Sequence, residues 1–457
     1  MSIDEAPPRS PALLQKLGTM RGAQLAAAVV LFVVLLVRGV ASRFVFDAAM
    51  YWNGAIAIGQ GGDAVTQGGL QLRGVFSSLI YLPSALASGV IGERTAHVVV
   101  LAENAALVTL LAVVIVPLLA RRIVPVGPWH VWVSAVLVGV AFFGFVPYTL
   151  MDVWALTALA SGVLLLGGRR WWVLALGGFL VVVAVNLRPA YLVPAVLIGL
   201  VSVVFFWRRV HWIALGAIVG ALPQVILNRA VYKVWALTPG DTFRISEIQN
   251  QYASFVVRYD TVAYIQASDP RQFYCSPQMA AIVAQHPPAT SLDLVKVFVK
   301  NLGSSVVFAL EKVGAALSWS PQTPYAAPPP FEPTVVGAVV IIVASLGFVI
   351  LAVETFRRGF RSLNATAVLL LAAWIGTVGT LVMSAPETRF ASTLVVVGVI
   401  GCLVGLSRLR RASFRRPAPW VVLGVALAIA VGLQVLAVVG LAHPATPGDV
   451  TAASCLL

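Results

Sequence analysis

The chain carries the sequence AQLAAAVVLFVVLLVRGVASRFVFDAAMYWNG at residues 23–54. The first part, up to residue 41, is apolar and long enough to cross a bilayer, because a membrane helix needs about 20 apolar residues. Asp47 follows this run and stands between phenylalanines and the pair Tyr51-Trp52. Charge at the edge of a bilayer is costly and usually serves a function. The stretch therefore predicts a membrane helix and, directly beyond it, a working carboxylate.

The composition extends the membrane prediction to the whole chain. Of the 457 residues, 60% are hydrophobic and 11% are charged, whereas a soluble domain has about 25% charged residues. Long apolar runs indicate helices rather than the alternating strands of a β-barrel. We predict an all-α, polytopic membrane protein of about 11–13 transmembrane helices. The apolar segments run near residues 23–41, 75–91, 97–119, 130–147, 151–167, 171–186, 191–207, 211–228, 334–354, 364–384, 390–407 and 419–441.

The charge pattern predicts the orientation. The net charge is +14, but the basic residues form short clusters between apolar segments, which is the positive-inside pattern rather than a nucleic-acid-binding surface. We expect a multi-pass protein of the plasma (inner) membrane with a cytoplasmic N-terminus, an extracytoplasmic C-terminus, and no nucleic acid among its partners. The clusters are Arg121-Arg122, Arg169-Arg170, Arg208-Arg209, Arg357-Arg358 with Arg361, and Arg408 to Arg416.

Two segments leave the number of spans open. Residues 75–91 fit the charge pattern if they are re-entrant or cross only partly. Residues 292–319 carry several charges, among them Lys296, Lys300, Glu311 and Lys312, as an amphipathic helix on the outer surface does. This layout has about eleven spans, and the alternative with thirteen puts several arginines on the wrong side. The predicted regions are a cytoplasmic tail (1–22), an N-terminal transmembrane module (23–228) with a first outer loop (42–74), an extracytoplasmic region with an interfacial helix (229–333), C-terminal transmembrane helices (334–441) and an extracytoplasmic tail (442–457).

Asp47 has two interpretations. A carboxylate in this position could take a proton from a hydroxyl as a general base, and Tyr51, Trp52 and Asn53 would then contact the substrate. The alternative is that Asp47 caps a helix that begins at Ala48, with the two aromatic residues in an ordinary interfacial belt.

Two isolated arginines lie in turns that the charge pattern places outside. Arg188 precedes Pro189, and Arg389 follows Glu387 by two residues. An arginine can hold a phosphate through two hydrogen bonds, so both are candidate phosphate ligands. The alternatives are a local ion pair between Arg389 and Glu387, and extension of Arg188 to the membrane surface. Arg73 is a weaker candidate because its loop is predicted to be solvated.

The sequence favours structural roles over catalytic ones for its other polar residues. Asp152 opens a predicted helix, where it complements the helix dipole. No zinc-protease, serine-hydrolase or Walker motif is present, so we predict no cofactor, while a divalent metal held by aspartates stays open. Cys402 lies inside an apolar segment, where we expect it to be a packing residue. Cys275 and Cys455 both fall in regions predicted to lie outside. These two form either a disulfide or a pair of free thiols.

Together these features resemble the C-type (GT-C) superfamily of polytopic membrane glycosyltransferases, which use polyprenyl-phosphate sugars on the outer side of the membrane. Asp47 is followed by Ala48, so the chain lacks the Asp-Glu pair of the mannosyl- and aminoarabinose-transferring branches. It is more similar to bacterial mannosyl- and arabinosyltransferases with a single aspartate before a tyrosine. The resemblance rests on the loop Asp47–Gly54, on Gly92-Glu93-Arg94, on Arg188-Pro189 and on Glu387-Thr-Arg389-Phe390.

The resemblance implies an activity and roles for the candidate residues. A mannose- or arabinose-like sugar would move from a polyprenyl-phosphate donor to a cell-envelope glycan or glycolipid acceptor. Asp47 would be the general base, and Arg389 and Arg188 would contact the donor phosphate. Two other classes of function stay open: a transporter or flippase of a lipid-linked glycan, and a non-catalytic membrane subunit that binds polyprenyl lipid.

Overall fold

The computed structural model describes residues 11–63, 74–238, 242–261, 271–318, 333–357, 363–409, 418–445 and 450–456. Within these ranges the chain is mostly helical, and the predicted all-α fold class is confirmed. The helices of the N-terminal part are α1 Pro11–Leu36, α2 Phe46–Gly59, α3 Val75–Ile80, α4 Leu82–Ile91, α5 Glu93–Arg121, α6 Pro128–Phe142, α7 Asp152–Leu166, α8 Trp171–Leu187, α9 Leu192–Phe206 and α10 Val210–Tyr232.

The C-terminal part adds further helices and a small antiparallel sheet. Its strands are β1 Val256–Thr261, β2 Arg271–Cys275 and β3 Pro444–Ala445, in the order β1-β2-β3. The sequence analysis did not predict this sheet, in which β1 and β2 form a short local pair and the two-residue β3 joins β2 across 170 residues of chain. The helices are α11 Thr242–Phe255, α12 Pro277–Val283, α13 Ser291–Lys300, α14 Leu302–Leu317, α15 Pro333–Phe356, α16 Ala365–Val382, α17 Ser392–Leu409 and α18 Ala418–Gly440.

The described helices include candidates for the predicted crossings, judged by their length and composition. Eight segments within the described ranges are long and apolar enough to span a membrane. One of them, Pro189–Tyr232, has 44 residues, a length of about 66 Å that exceeds twice the hydrocarbon core of about 30 Å. A 3-10 turn at Trp207–Arg209 divides it into α9 and α10. Counting this segment twice and adding the apolar helices α7 and α8 gives eleven crossings, the number preferred from the sequence.

The helix ends define two faces. On the first, which we call the site face, the start of α9 meets the last turn of α16 and the first residue of α17. The Thr380 hydroxyl donates to the Ala190 carbonyl at 3.0 Å, and the Tyr191 and Ser392 hydroxyls are 3.1 Å apart. The opposite, far face carries those cluster arginines that lie within the described residues: Arg121, Arg122, Arg169, Arg170, Arg208, Arg209, Arg357 and Arg408. There Arg209 donates to the carbonyl of Arg169 at 3.1 Å.

The segment 75–91 does not span the membrane in this structure. It is broken at Tyr81 into α3 and α4, and both helices pack against α2. The helix that follows, α5, begins on the site face, because His97 in its first turns lies 3.1 Å from the carbonyl of Ala41. The segment therefore returns to the face from which it entered, as the eleven-span layout expects.

The segment 292–319, which the sequence predicts to be an amphipathic helix on the outer surface, is packed differently in the structure. Its second helix, α14, packs lengthwise on α18, where Gly314 faces Leu433 and Ala437. The charge of Lys312, fully buried, is satisfied by the carbonyls of Ala253, Val382 and Ser384 at 2.6–3.0 Å. A charged helix can pack inside the protein here because three backbone oxygens replace water around the ammonium group.

A second, smaller hydrophobic core lies on the site face. It joins α11, the sheet and α12 to the segment that follows α18. A disulfide between Cys275 and Cys455 ties β2 to that segment, so the disulfide is the alternative that the structure adopts, and Cys402 is free. This core holds β1 beside the turn that precedes α17, where the Tyr259 amide donates to the Pro386 carbonyl at 3.0 Å.

Candidate active site

Two arginines and three carboxylates meet in a buried ion cluster on the site face. Arg389 Nη2 lies 2.9 Å from Asp47 Oδ2 and 2.8 Å from Glu387 Oε1. Arg389 Nη1 lies 3.8 Å from Asp152 Oδ2, and Arg188 Nε lies 3.1 Å from Asp152 Oδ1. Arg188 Nη1 is 3.9 Å from Asp47 Oδ2. Residues from four separate parts of the chain therefore share one site, which we call the ion cluster.

Burial distinguishes the three carboxylates. The side chains of Asp152 and Glu387 are each 2% exposed, whereas that of Asp47 is 15% exposed. Both arginine side chains are buried as well. Asp47 is thus the carboxylate of the cluster that an entering molecule can reach most easily.

Asp47 lies in the first turn of α2. The helix begins two residues earlier than the sequence predicts, and its N-cap is Val45, whose side chain makes no capping bond. Phe46 has φ of +49°, a left-handed conformation that is unfavourable for a residue with a side chain. The capping interpretation of Asp47 is therefore not what the structure shows, because Asp47 stands inside the helix with its carboxylate on Arg389.

Asp152 is placed by a hydrogen-bonded turn that precedes α7. Asn104 of α5 donates to the carbonyls of Val146 and Tyr148 at 3.0 and 2.8 Å. The same amide accepts from the Tyr81 hydroxyl and from the Trp154 indole, each at 3.0 Å. These hydrogen bonds explain why a polar residue, Asn104, lies inside the apolar segment 97–119. Asp152 does lie in the first turn of its helix, as predicted, but the sequence did not reveal that it also joins the ion cluster.

Arg188 follows the last residue of α8. Its guanidinium carbon lies 4.9 Å from the centre of the Phe390 ring, and that of Arg389 lies 5.9 Å from the same ring. The two arginines thus flank one aromatic ring that both can contact through cation–π interactions. Arg188 is buried at the end of α8 and does not extend to the membrane surface.

Tyr259 of β1 is a member of the site that the sequence analysis missed. Its hydroxyl is hydrogen-bonded to the Glu387 carboxylate. Desolvation and the Glu387 charge raise the pKa of Tyr259 well above its ordinary value of 10.0, so the phenol keeps its proton. Burial also raises the pKa of Glu387, although Arg389 and Tyr259 oppose this effect. The sheet therefore contributes a hydrogen-bond donor to the cluster.

A ladder of buried amides fixes the chain beside Arg188. Asn186 donates to Gln224 at 3.0 Å, and Gln224 donates to Asn228 at 3.0 Å. Asn186 and Gln224 also accept from the amides of Phe76 and Val75, which begin α3. The ladder thereby joins α3 to α8 and α10.

Gly74, which precedes α3, lies directly against the backbone of Asn186. A Cβ atom added to Gly74 would overlap the Asn186 carbonyl oxygen. The first outer loop therefore returns to α8 at a position where only glycine fits.

An apolar groove approaches the site along α8, α9 and α10. It encloses about 200 Å³, and its lining includes Asn186, two residues before Arg188 in the chain. Its walls carry aliphatic side chains from the three helices, which is the lining that a hydrocarbon chain needs. The lining includes Val181, Val185, Ala195, Ile198, Ile213 and Ala217.

The remaining residues that the sequence predicts for the site are Tyr51, Trp52, Asn53 and Arg73. Tyr51, fully buried one turn after Asp47, lies close enough to Arg188 to interact with its charge. Trp52 packs instead against Phe44 and His97, with ring centres 5.4 and 5.8 Å apart. Asn53 is exposed. Arg73 lies outside the described residues.

Among the described residues, no group of three histidine, cysteine or acidic side chains is arranged to hold a metal ion. In the ion cluster, Arg389 lies between the carboxylates and contacts each of them. The arrangement can bind an anion, such as a phosphate, through the two guanidinium groups. It can also present one accessible carboxylate, Asp47, to a hydroxyl group.

Fold and site together define an all-α, multi-pass membrane protein with a buried two-arginine ion cluster at one end of its helices. No family model and no curated protein matches the chain. A similar solved structure is the archaeal oligosaccharyltransferase AglB from Archaeoglobus fulgidus, in complex with an inhibitory peptide and a dolichol-phosphate. The identity is 14% and the TM-score is 0.47, and the match covers 93% of this chain and 56% of that chain. The chain thus spans just over half the length of that protein.

Proposed function

We propose that the protein is a membrane glycosyltransferase of the GT-C kind. It would move a mannose- or arabinose-like sugar from a polyprenyl-phosphate donor to a cell-envelope glycan or glycolipid acceptor, at the outer face of the plasma membrane. The observation that carries the proposal is the ion cluster, in which two buried arginines and one accessible carboxylate lie together. An apolar groove, whose lining includes Asn186 two residues before Arg188, runs along the neighbouring helices. A phosphate on a hydrocarbon chain and a hydroxyl acceptor are the ligands that suit this combination.

The donor phosphate would bind Arg188 and Arg389. In the structure both guanidinium groups are neutralised by carboxylates. A phosphate competes for the same donors, and arginine binds it bidentately. When Arg389 turns to the phosphate, Asp47 loses its closest counter-charge and is free to accept a proton from the acceptor hydroxyl.

The transfer would be a single displacement. The acceptor oxygen gives its proton to Asp47 and forms a bond to the anomeric carbon, while the bond from that carbon to the phosphate oxygen breaks. The electron pair goes to the polyprenyl phosphate, whose charge Arg188 and Arg389 stabilise. One displacement inverts the configuration at the anomeric carbon. Glu387, which is hydrogen-bonded to Tyr259, would keep its contact with Arg389 from the side of the sheet while the guanidinium turns.

The test is sugar transfer by the purified protein in nanodiscs, with a panel of polyprenyl-phosphate sugars and isolated envelope glycans. Asp47→Asn removes the base at nearly constant size, and we expect a loss of at least about 100-fold, because general bases contribute about 10²–10⁴-fold. Asp293→Asn, on the exposed surface of α13, is the matched control and should transfer as the wild type does.

Thermal unfolding must show that both variants are folded. Equal transfer by the wild type and Asp47→Asn would remove Asp47 from the role of base. Tight binding of polyprenyl phosphate by a wild type that transfers no sugar would instead support a non-catalytic lipid-binding subunit.

A further inference from the structure

The far face carries a second basic site, separate from the ion cluster. It forms where the start of α8 meets the turn between α9 and α10. We call it the far-face pocket, a concave surface of about 540 Å³. Its lining residues are Arg169, Arg170, Trp171, Trp172, Arg209 and Trp212.

The pocket is built by contacts between the two turns. Arg209 donates to the carbonyl of Arg169 at 3.1 Å, and the ring centres of Trp171 and Trp212 are 5.0 Å apart. These contacts hold three arginines and three indole rings around one concavity. The pocket is therefore a defined feature of the fold rather than a set of independent surface side chains.

Within the described part of the chain, no carboxylate forms an ion pair with Arg169, Arg170 or Arg209. Elsewhere on the far face, Arg357 and Arg408 both pair with Glu354. Uncompensated positive charge in a concave site favours an anionic ligand.

The surroundings of the pocket indicate a lipid rather than a soluble anion. Next to it, α9 exposes aliphatic side chains, including Val204, which is 74% exposed. Trp171, Trp172 and Trp207 are also exposed, and tryptophan is enriched at the level of lipid headgroups. A lipid would match both features, because its charged headgroup can contact the arginines and its acyl chains can contact the aliphatic side chains of α9.

We propose that the far-face pocket binds the headgroup of an anionic phospholipid. The headgroup phosphate lies between the arginines, the indole rings enclose it, and the acyl chains run along the exposed side of α9. Basic pockets between membrane helices bind acidic headgroups through this combination of charge and position. The proposal does not depend on the proposed sugar transfer.

The test is lipid binding by the purified full chain, measured by native mass spectrometry with phosphatidylglycerol and with phosphatidylcholine of the same acyl chains. Arg169→Gln with Arg209→Gln removes two charges from the pocket. Arg121→Gln with Arg122→Gln removes two exposed charges from the end of α5 on the same face and is the matched control. We expect the first pair to weaken the tightest phosphatidylglycerol site by at least about tenfold, and the control pair by less than about twofold.

Several results would overturn the proposal. Equal weakening by both pairs would show diffuse surface charge instead of a pocket. Equal binding of the two lipids would show that the headgroup charge is not recognised, and displacement of the lipid by excess inorganic phosphate alone would identify a soluble anion as the ligand. Arg170→Gln provides a second variant, with a smaller loss expected, should the double variant fail to fold.

Discussion

Arg389 is the residue on which the ion cluster depends most. One guanidinium contacts Asp47, Glu387 and Asp152, at 2.9, 2.8 and 3.8 Å. Removal of the side chain would leave the buried Glu387 carboxylate without its ion-pair partner and the two aspartates with Arg188 alone, a loss of about 3–5 kcal/mol in the free energy of unfolding. A test of function at this position must therefore keep the charge.

Arg389→Lys is such a change. A lysine retains the charge but lacks the planar fork that holds a phosphate bidentately, so we expect a folded protein whose kcat/KM for the donor falls by at least about tenfold. Arg357→Lys, at an exposed position on the far face, is the control and should have wild-type kinetics. Unchanged kinetics in Arg389→Lys would mean that the fork geometry of Arg389 plays no part in catalysis.

Glu387 gives the site a pH dependence with a definite sign. Its pKa is raised by burial from an ordinary value of 4.5, so the folded protein holds the proton more tightly than the unfolded chain. Its contribution to stability is therefore fully present below about pH 4.5 and is lost as the pH rises through the folded-state pKa. The unfolding free energy of the wild type, minus that of Glu387→Gln, should fall as the pH rises. A difference that grows with pH would contradict the raised pKa.

The sequence identified some site residues and missed others for physical reasons. Asp47, Arg188 and Arg389 stand out because charge at a membrane edge is unusual. Asp152 was assigned only to the helix dipole, since an aspartate in a first turn already has that local explanation. Tyr259 gave no signal, because its place in the site depends on contacts with Pro386 and Glu387, which lie far away in the chain.

At the scale of elements, close packing of helices depends on small residues. A Cβ atom on Gly216 of α10 would overlap the carbonyl of Ala175 in α8, whereas one on Gly432 of α18 would meet no atom within 4 Å. Gly216→Ala should therefore lower the free energy of unfolding by about 1–3 kcal/mol. Gly432→Ala should leave it unchanged or raise it, since alanine is the better helix former. Similar unfolding curves for the two variants would contradict the observed packing of α8 on α10.

Hydropathy predicted the spanning elements well, because each long helix must bury an apolar surface in lipid or protein. It was less informative where polar contacts decide the structure. The return of α3 and α4 to the site face depends on the amide ladder and on Gly74, and the packing of α14 depends on the carbonyl cage around Lys312. Such contacts are made between segments far apart in the chain.

At the scale of the whole molecule, the disulfide joins two parts of the site face across 180 residues. Its removal in Cys275→Ser with Cys455→Ser should reduce stability by about 2–5 kcal/mol. A reducing agent should lower the melting temperature of the wild type and leave that of the double variant unchanged. Titration should find one reactive thiol in the denatured, non-reduced protein, and three thiols there before reduction would show that the disulfide does not form.

The central claim of the account is that the ion cluster holds the phosphate of a polyprenyl donor. The most direct measurement is an electron cryo-microscopy structure of the protein in nanodiscs with polyprenyl phosphate. We predict that the phosphate lies within hydrogen-bond distance of both Arg188 and Arg389, with its chain in the groove along α8, α9 and α10, and that Arg389 has moved away from Asp47. A phosphate bound elsewhere, with the ion pair between Arg389 and Asp47 intact, would contradict the claim.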